Sequence, residues 1–400
     1  MKPLILLFLT AVVLDAQVKS QNEPTNAAEA AAKKAAENKV VDEKYQAWKA
    51  TLPADQQAWE TVLEQNLGNG FYLPLHKKDK LAGPIEPWDY LYYQEKVKAA
   101  KYKFDSGELK AYFTLDNMIA GSMYMAERLY GLTFAEITGQ VPTFHPDVRV
   151  WEVKDKASGK VVGLFYGDYF ARAGKRSGAW ATAYRRHETF TGTTLTPLAS
   201  NNNNFVRGAT GAPVLISLDD AETLFHEFGH ALHSLLSEVN YPGLGTTPRD
   251  FVEYPSQVHE QWVLSRPILD KFALHYQTGK PMPPALVAKI EKAATFNQGY
   301  ATVEYLTSAI LDMRLHMLAD PSAVDPAAFE RDTLAAIGAP REVAMRHRLP
   351  QFNHLFTSDA YSAGYYSYLW SEVMDADTRD AFREAGDVFD PTVAGKLRQY

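Results

Sequence analysis

The 400-residue chain contains no cysteine. That excludes disulfides, thiolate nucleophiles and any zinc or iron–sulfur site built on sulfur. A bound metal would have to sit on His, Asp and Glu, and 11 histidines are present. The chain also lacks an excess of positive charge. Its 41 Lys and Arg stand against 48 Asp and Glu, a formal net charge of −7. Neither nucleic acid nor an anionic membrane surface is therefore expected as a partner. Nowhere does an apolar run reach the ~20 residues that a bilayer span requires. The run at 4–14 follows Lys2 and fits the n- and h-regions of a secretory signal peptide, so residues 1–17 are read as a leader. Cleavage of that leader predicts a periplasmic or secreted protein; without cleavage the chain is cytoplasmic.

What is present is an ordinary globular composition, 46% hydrophobic and 22% charged, on a chain long enough for a sizeable core. Residues 18–40 contain the alanine-rich run 26–38 and read as a helical linker. Residues 41–85 carry Trp48, Trp59, Phe71 and Tyr72 between the breakers Pro53 and Pro74, which predicts two short helices and a loop. Gly83, Pro84 and Pro87 mark a boundary. Beyond it, 90–103 and 115–131 have apolar residues at helical spacing. Residues 148–153 and 161–166 switch to strand-like patterning around Ala157-Ser158-Gly159, a β-hairpin signal. The Thr-, Asn- and Gly-rich stretch 190–213 reads as a loop, and from Ser217 the chain is again mostly helical. The expected class is mainly α with a small β-hairpin or sheet element.

The informative segment is 217–239. Ser217 with Asp220 three residues on suits a helix N-terminus. Leu224, Phe225, Phe228, Ala231, Leu232, Leu235 and Leu236 make a broad apolar stripe. Within it lies His226-Glu227-Phe228-Gly229-His230, the H-E-x-x-H pattern. Residues four apart share a helix face, so both imidazoles can reach one zinc ion at about 2.0–2.1 Å. Glu227 sits to one side of the pair. It can accept a proton from a water whose pKa zinc lowers to about 7.

A zinc of this kind needs a third protein ligand. In the helical segment starting near Arg249, Glu253, Gln257 and Glu260 fall on one face. Spacing alone does not choose between Glu253 and Glu260. Asp219, Asp220, Glu222 and Asp250 are further carboxylates within reach of a ligand imidazole, with helix capping as their plainer role. A third cluster, 351–370, gathers His354, Tyr361, Tyr365, Tyr366, Tyr368 and Trp370 behind a small, polar stretch. That order suits a loop leading phenol donors into a cleft, where they could stabilise an oxyanion.

Together these blocks resemble the thimet oligopeptidase and peptidyl-dipeptidase family of zinc metallopeptidases. The matching runs are LFHEFGHALH at 224–233, TPRDFVEYPSQ at 247–257 and HLFTSDAYSAGYYSYLW at 354–370. PWDYLYYQEKVKAAKY (87–102), HPDVRVWEV (145–153), LFYGDYFARAGKRSGAW (164–180) and FNQGY (296–300) match as well. The resemblance covers 86–400 and implies a zincin-type helical catalytic domain there. It implies His226, His230 and Glu253 as ligands of one Zn2+ per chain, and Glu227 as general base. Tyr361 and Tyr368 become transition-state donors, and His354 and Tyr365 substrate-channel residues. The implied substrates are short peptides, acted on by a monomer. TPRDFVEYPSQ is closer to the branch that releases C-terminal dipeptides than to the oligopeptidases, which cut internally. Family members are typically far longer, with a helical N-terminal half that walls the channel, and they continue past the point where this sequence stops. They usually carry glycines where Ser358 and Ala360 stand here. Those departures frame the alternative: a truncated, catalytically impaired remnant that binds zinc or peptide without turnover.

Overall fold

The computed structural model describes residues 87–103, 106–339 and 343–400, together with Ala47 and Ala50. The chain divides into two units, Met1–Ile85 and Glu86–Tyr400. Apart from Ala47 and Ala50, the description concerns the second. The leader, the linker and the two short helices read from the sequence lie outside the described residues.

The second unit opens with helices α1 (Pro87–Tyr102), α2 (Ser106–Lys110) and α3 (Leu115–Tyr130). The hydroxyl of Thr114 caps the start of α3, and Gly131 ends it in the left-handed region at φ 66°. Five strands follow: β1 (Leu132–Glu136), β2 (Arg149–Asp155), β3 (Val161–Phe170), β4 (Trp180–Arg185) and β5 (Leu198–Phe205). They form one mixed sheet ordered β1-β2-β3-β5-β4. The predicted hairpin is β2–β3, antiparallel with Trp151 opposite Phe165. β5 then lies parallel to β3, and β4 closes the edge antiparallel to β5.

β5 corrects the loop expected over 190–213. Asparagine is depleted in strands in general, but here the run 201–204 is almost wholly buried between two neighbouring strands. The side-chain amide of Asn202 donates to the Trp180 carbonyl at 3.1 Å, and that of Asn204 to the carbonyls of Arg176 and Gly178, both at 2.7 Å. These two amides fasten residues 176–180 to β5, a tertiary role that propensity does not register.

Behind the sheet lies α4 (Leu218–Leu235). Its apolar stripe supplies Leu224, Phe225, Phe228, Leu232 and Leu235 to the main core. Phe228 meets Phe165 edge-on at 5.1 Å. Each such fully buried side chain contributes ~1.5–3 kcal/mol by leaving water.

The remaining helices are α5 (Arg249–Val252), α6 (Tyr254–Glu260), α7 (Arg266–Phe272), α8 (Pro284–Ala293), α9 (Gln298–His316), α10 (Pro326–Ala336), α11 (Asn353–Phe356), α12 (Ser367–Ala385) and α13 (Pro391–Arg398). α6 lies against α4 so closely that a Cβ on Gly229 would sit 2.5 Å from the Pro255 carbonyl oxygen. Only glycine permits that approach. No helix among the described residues is long and apolar enough to cross a membrane.

Candidate active site

Ser217 and Asp220 close a reciprocal capping box at the start of α4, at 3.0 and 2.9 Å. Asp220 is therefore spent on the helix terminus. With the apolar stripe buried, the opposite side of α4 carries His226, His230 and His233 into a cleft of about 1430 Å3. The side chains of His226 and His230 are 17% and 18% exposed, enough to be reached from that cleft.

The sequence predicts a continuous helical segment from Arg249. The structure breaks it at Glu253, which ends α5 and begins α6 with Pro255 in the first turn. The Glu253 carboxylate faces α4. Its Oε2 lies 3.4 Å from His226 Nε2 and 3.2 Å from His230 Nε2. The three ligand atoms could hold one metal ion. Two donors bound tetrahedrally at about 2.0–2.1 Å stand about 3.3–3.4 Å apart, so the observed spacing fits a zinc-sized tetrahedral ion.

Glu260, the competing carboxylate, does something else. Its Oε1 is 2.6 Å from His226 Nδ1. With Glu260 on Nδ1, Nε2 is the nitrogen turned toward Glu253. Burial opposes charge on Glu253, yet the two histidines outweigh it and hold the carboxyl well below its usual range.

Glu227 is 5% exposed, and its Oε2 has no hydrogen-bond partner among the described residues. Burial raises its pKa, opposed by the neighbouring His226 and His230. A buried carboxylate oxygen left unpaired beside a metal-sized gap is suited to receiving a proton. His233 is not in the ligand group. Burial, with His230 adding to it, pushes His233 down to about 4, so it is neutral at pH 7.

The tyrosines arrive on a different segment. Tyr361 Oη donates to Glu253 Oε1 at 3.0 Å and stands 2.7 Å from Tyr368 Oη. The two rings are stacked, 9° from parallel. Burial, reinforced by Glu253, raises both phenols, which keeps them protonated donors. His354 meets Tyr361 edge-on at 5.2 Å, and burial with His347 pushes it down to about 4. Tyr365 is 4% exposed and packs in a second core; it reaches a smaller cavity of about 350 Å3, which His354 and Tyr368 also line.

Sequence reasoning passed over Arg249. Its guanidinium lies 4.1 Å over the Tyr361 ring, and its Nη1 is 4.0 Å from Glu253 Oε1. The signal was its position one helical turn before Glu253. Lys175 was also missed. It is almost fully buried at 3.2 Å from Asp168 and donates to the carbonyls of Asp168 and Phe170, both at 2.9 Å, and of Asn203. With Arg172 forked onto Asp168 at 2.6 and 2.8 Å, it anchors the loop that brings Arg176 to the cleft.

The chain is similar in sequence to known proteins. A dipeptidyl carboxypeptidase of Salmonella typhimurium is 42% identical over 308 residues, 76% of this chain and 44% of that protein. One of Escherichia coli is 41% identical over 307 residues, 75% of this chain and 44% of that protein. An oligopeptidase A of Salmonella typhimurium is 35% identical over 310 residues, 76% and 45% of the two chains. This chain thus spans less than half the length of these relatives. The family description "Peptidase family M3" matches residues 15–399, from before the first described helix to the penultimate residue. On that match, and on a helical domain with a five-stranded sheet and a His-His-Glu group, the chain belongs to peptidase family M3.

Proposed function

We propose that this chain is a zinc-dependent metallopeptidase that releases C-terminal dipeptides from short peptides. The observation that carries the reading is the convergence of His226 Nε2, His230 Nε2 and Glu253 Oε2 at zinc-ligand spacing. These three side chains would hold the ion. Zinc at such a site polarises a carbonyl and acidifies water.

The rest falls to the chain's own residues. Glu227, buried and unpaired at Oε2, takes a proton from the attacking water and passes it to the leaving amine. Tyr361 and Tyr368 donate hydrogen bonds to the oxyanion as charge develops, because burial keeps both phenols protonated. Glu260 holds His226 in the tautomer that offers Nε2. His354, neutral at working pH, packs against Tyr361 and Tyr365 and shapes the adjoining cavity.

Two observations favour dipeptide release over internal cleavage. The dipeptidyl carboxypeptidases match at 42% and 41% identity, the oligopeptidase A at 35%. Arg176, Arg186, Arg249, Arg346 and Arg398 line the cleft and suit a substrate that ends in a free carboxylate. The alternative of an impaired remnant draws no support from the site, where the whole His-Glu-His and tyrosine set is present and assembled.

The test is product mass spectrometry on an N-blocked pentapeptide, free or amidated at its C-terminus, with the zinc-loaded protein. A C-terminal dipeptide released from the free acid only, and abolished by chelator, is the expected result. Equal cleavage of the amidated peptide, or internal cuts, would move the reading to the oligopeptidase type. No cleavage with stoichiometric zinc bound would sink it.

A further inference from the structure

The segment that carries the tyrosines is held in an unfavourable backbone conformation. Ala363, between Tyr361 and Tyr365, has φ +54°. A non-glycine residue in the left-handed region is unfavourable and persists only where its surroundings impose it. What imposes it lies on α9. Asp312, 1% exposed, accepts the Ala363 N–H on Oδ1 at 3.0 Å and the Tyr365 N–H on Oδ2 at 2.8 Å. Both carboxylate oxygens are thus committed to the backbone on either side of Gly364. Charge-assisted bonds of this type are about twice as strong as neutral ones. His316 Nδ1, one turn further along α9, stands 2.8 Å from Asp312 Oδ1 and completes the anchor.

Two turns before Asp312, on the same face of α9, stands Tyr305. Its hydroxyl donates to the Tyr365 carbonyl and accepts the Leu369 N–H at 3.2 Å. Tyr305 also stacks on Tyr365, with centroids 5.5 Å apart. One face of one helix therefore grips the chain at four backbone groups, the N–H of 363, 365 and 369 and the carbonyl of 365. The gripped stretch runs from just after Tyr361 to just beyond Tyr368.

We propose that Asp312 and Tyr305 are positioning residues: by clamping the backbone at 363–369 they fix the Tyr361 and Tyr368 hydroxyls beside Glu253. Neither is placed at the metal group or in the tyrosine pair, and each acts through the backbone of another residue. The inference rests on the proposed peptidase function for its kinetic consequence, but not for the clamp itself.

The experiment uses the full 400-residue, zinc-loaded chain and the variants Asp312→Asn and Tyr305→Phe. Asparagine keeps the size of Asp312 but turns an NH2 toward one of the two backbone N–H groups. Tyr305→Phe deletes one hydroxyl and keeps the fold should Asp312→Asn prove too disruptive. Hydrogen exchange read by mass spectrometry should show faster exchange over 362–369, with zinc content unchanged. Displacing donors by a fraction of an ångström should lower kcat about 10- to 100-fold while KM moves little. In either background Tyr361→Phe should cost less than it does in the wild type, because a misplaced hydroxyl has less to lose. Unchanged exchange at 362–369 would overturn the clamp. Faster exchange with unchanged kcat, or strictly additive penalties with Tyr361→Phe, would overturn its positioning role. A wild-type chain without turnover would instead fail the proposed function, and the exchange measurement would still decide the clamp.

Discussion

His226 Nδ1 lies 2.6 Å from Glu260 Oε1, on the side of the imidazole away from Glu253. One carboxylate of the α5–α6 segment thus faces the Nε2 atoms of both histidines, while the other holds the His226 ring from behind. Glu260→Gln should weaken zinc binding about 10- to 100-fold, the usual effect of losing such a partner. Competition titration against a chromophoric chelator measures it. An unchanged affinity would mean that His226 is oriented by its helix alone.

Glu227→Gln should keep zinc and lose turnover by about 10²- to 10⁴-fold, the range for a general base. Metal content by atomic absorption, beside kcat/KM, separates the two effects. Loss of zinc in this variant would instead make Glu227 part of the ligand shell.

Gly229→Ala places a methyl 2.5 Å from the Pro255 carbonyl oxygen and 2.8 Å from His259 Nδ1. These neighbours are backbone and a fully packed ring, so α4 and α6 must separate. A loss of ~1–3 kcal/mol is expected, as for other overpacked sites. Denaturant unfolding reads it, and a variant as stable as wild type would contradict the close packing of the two helices.

His259 carries a pH dependence. It is 3% exposed, bonded through Nδ1 to the Pro255 carbonyl and through Nε2 to the Tyr130 hydroxyl at 2.7 Å. Burial, only partly offset by the Pro255 bond, pushes it from 6.5 down to about 4. The unfolded chain therefore binds a proton that the folded one refuses. Stability contributed by neutral His259 is complete above pH 6.5 and is lost as pH falls toward 4, by about 1.4 kcal/mol per pH unit at most. His259→Asn, which can keep the bond to Pro255, should lower stability at pH 7 and flatten the acid slope of zinc-free protein. An unaltered slope would place the proton uptake on His233 or His354, which are pushed down to about 4 as well.

The strongly patterned elements were legible before the fold was seen. α3, the β2–β3 hairpin and the His-bearing α4 each combine an apolar period with a start or stop signal in the chain itself. Elements whose reasons are tertiary were not. β5 is a strand against the propensity of its asparagines, two of which, Asn202 and Asn204, tie it to residues 176–180. The break at Glu253 coincides with Pro255, whose missing N–H ends the helical ladder there. Helical spacing put Glu253 and Glu260 on one face, and only their directions in space separated the carboxylate that faces both Nε2 atoms from the one that holds the His226 ring at Nδ1. Asp312 and Tyr305 left no mark that distinguishes them from any polar residue on a long helix.

Gly229 also bears on how the metal relates to the fold. Because it lets the backbones of α4 and α6 approach closely, the histidine pair and Glu253 are set by the same contacts that seal the core. The group is thus built into the core packing, in contrast to the small zinc domains that fold only around their metal. Removing any bound ion should therefore leave this unit folded, which an unchanged far-ultraviolet circular dichroism spectrum after chelation would register.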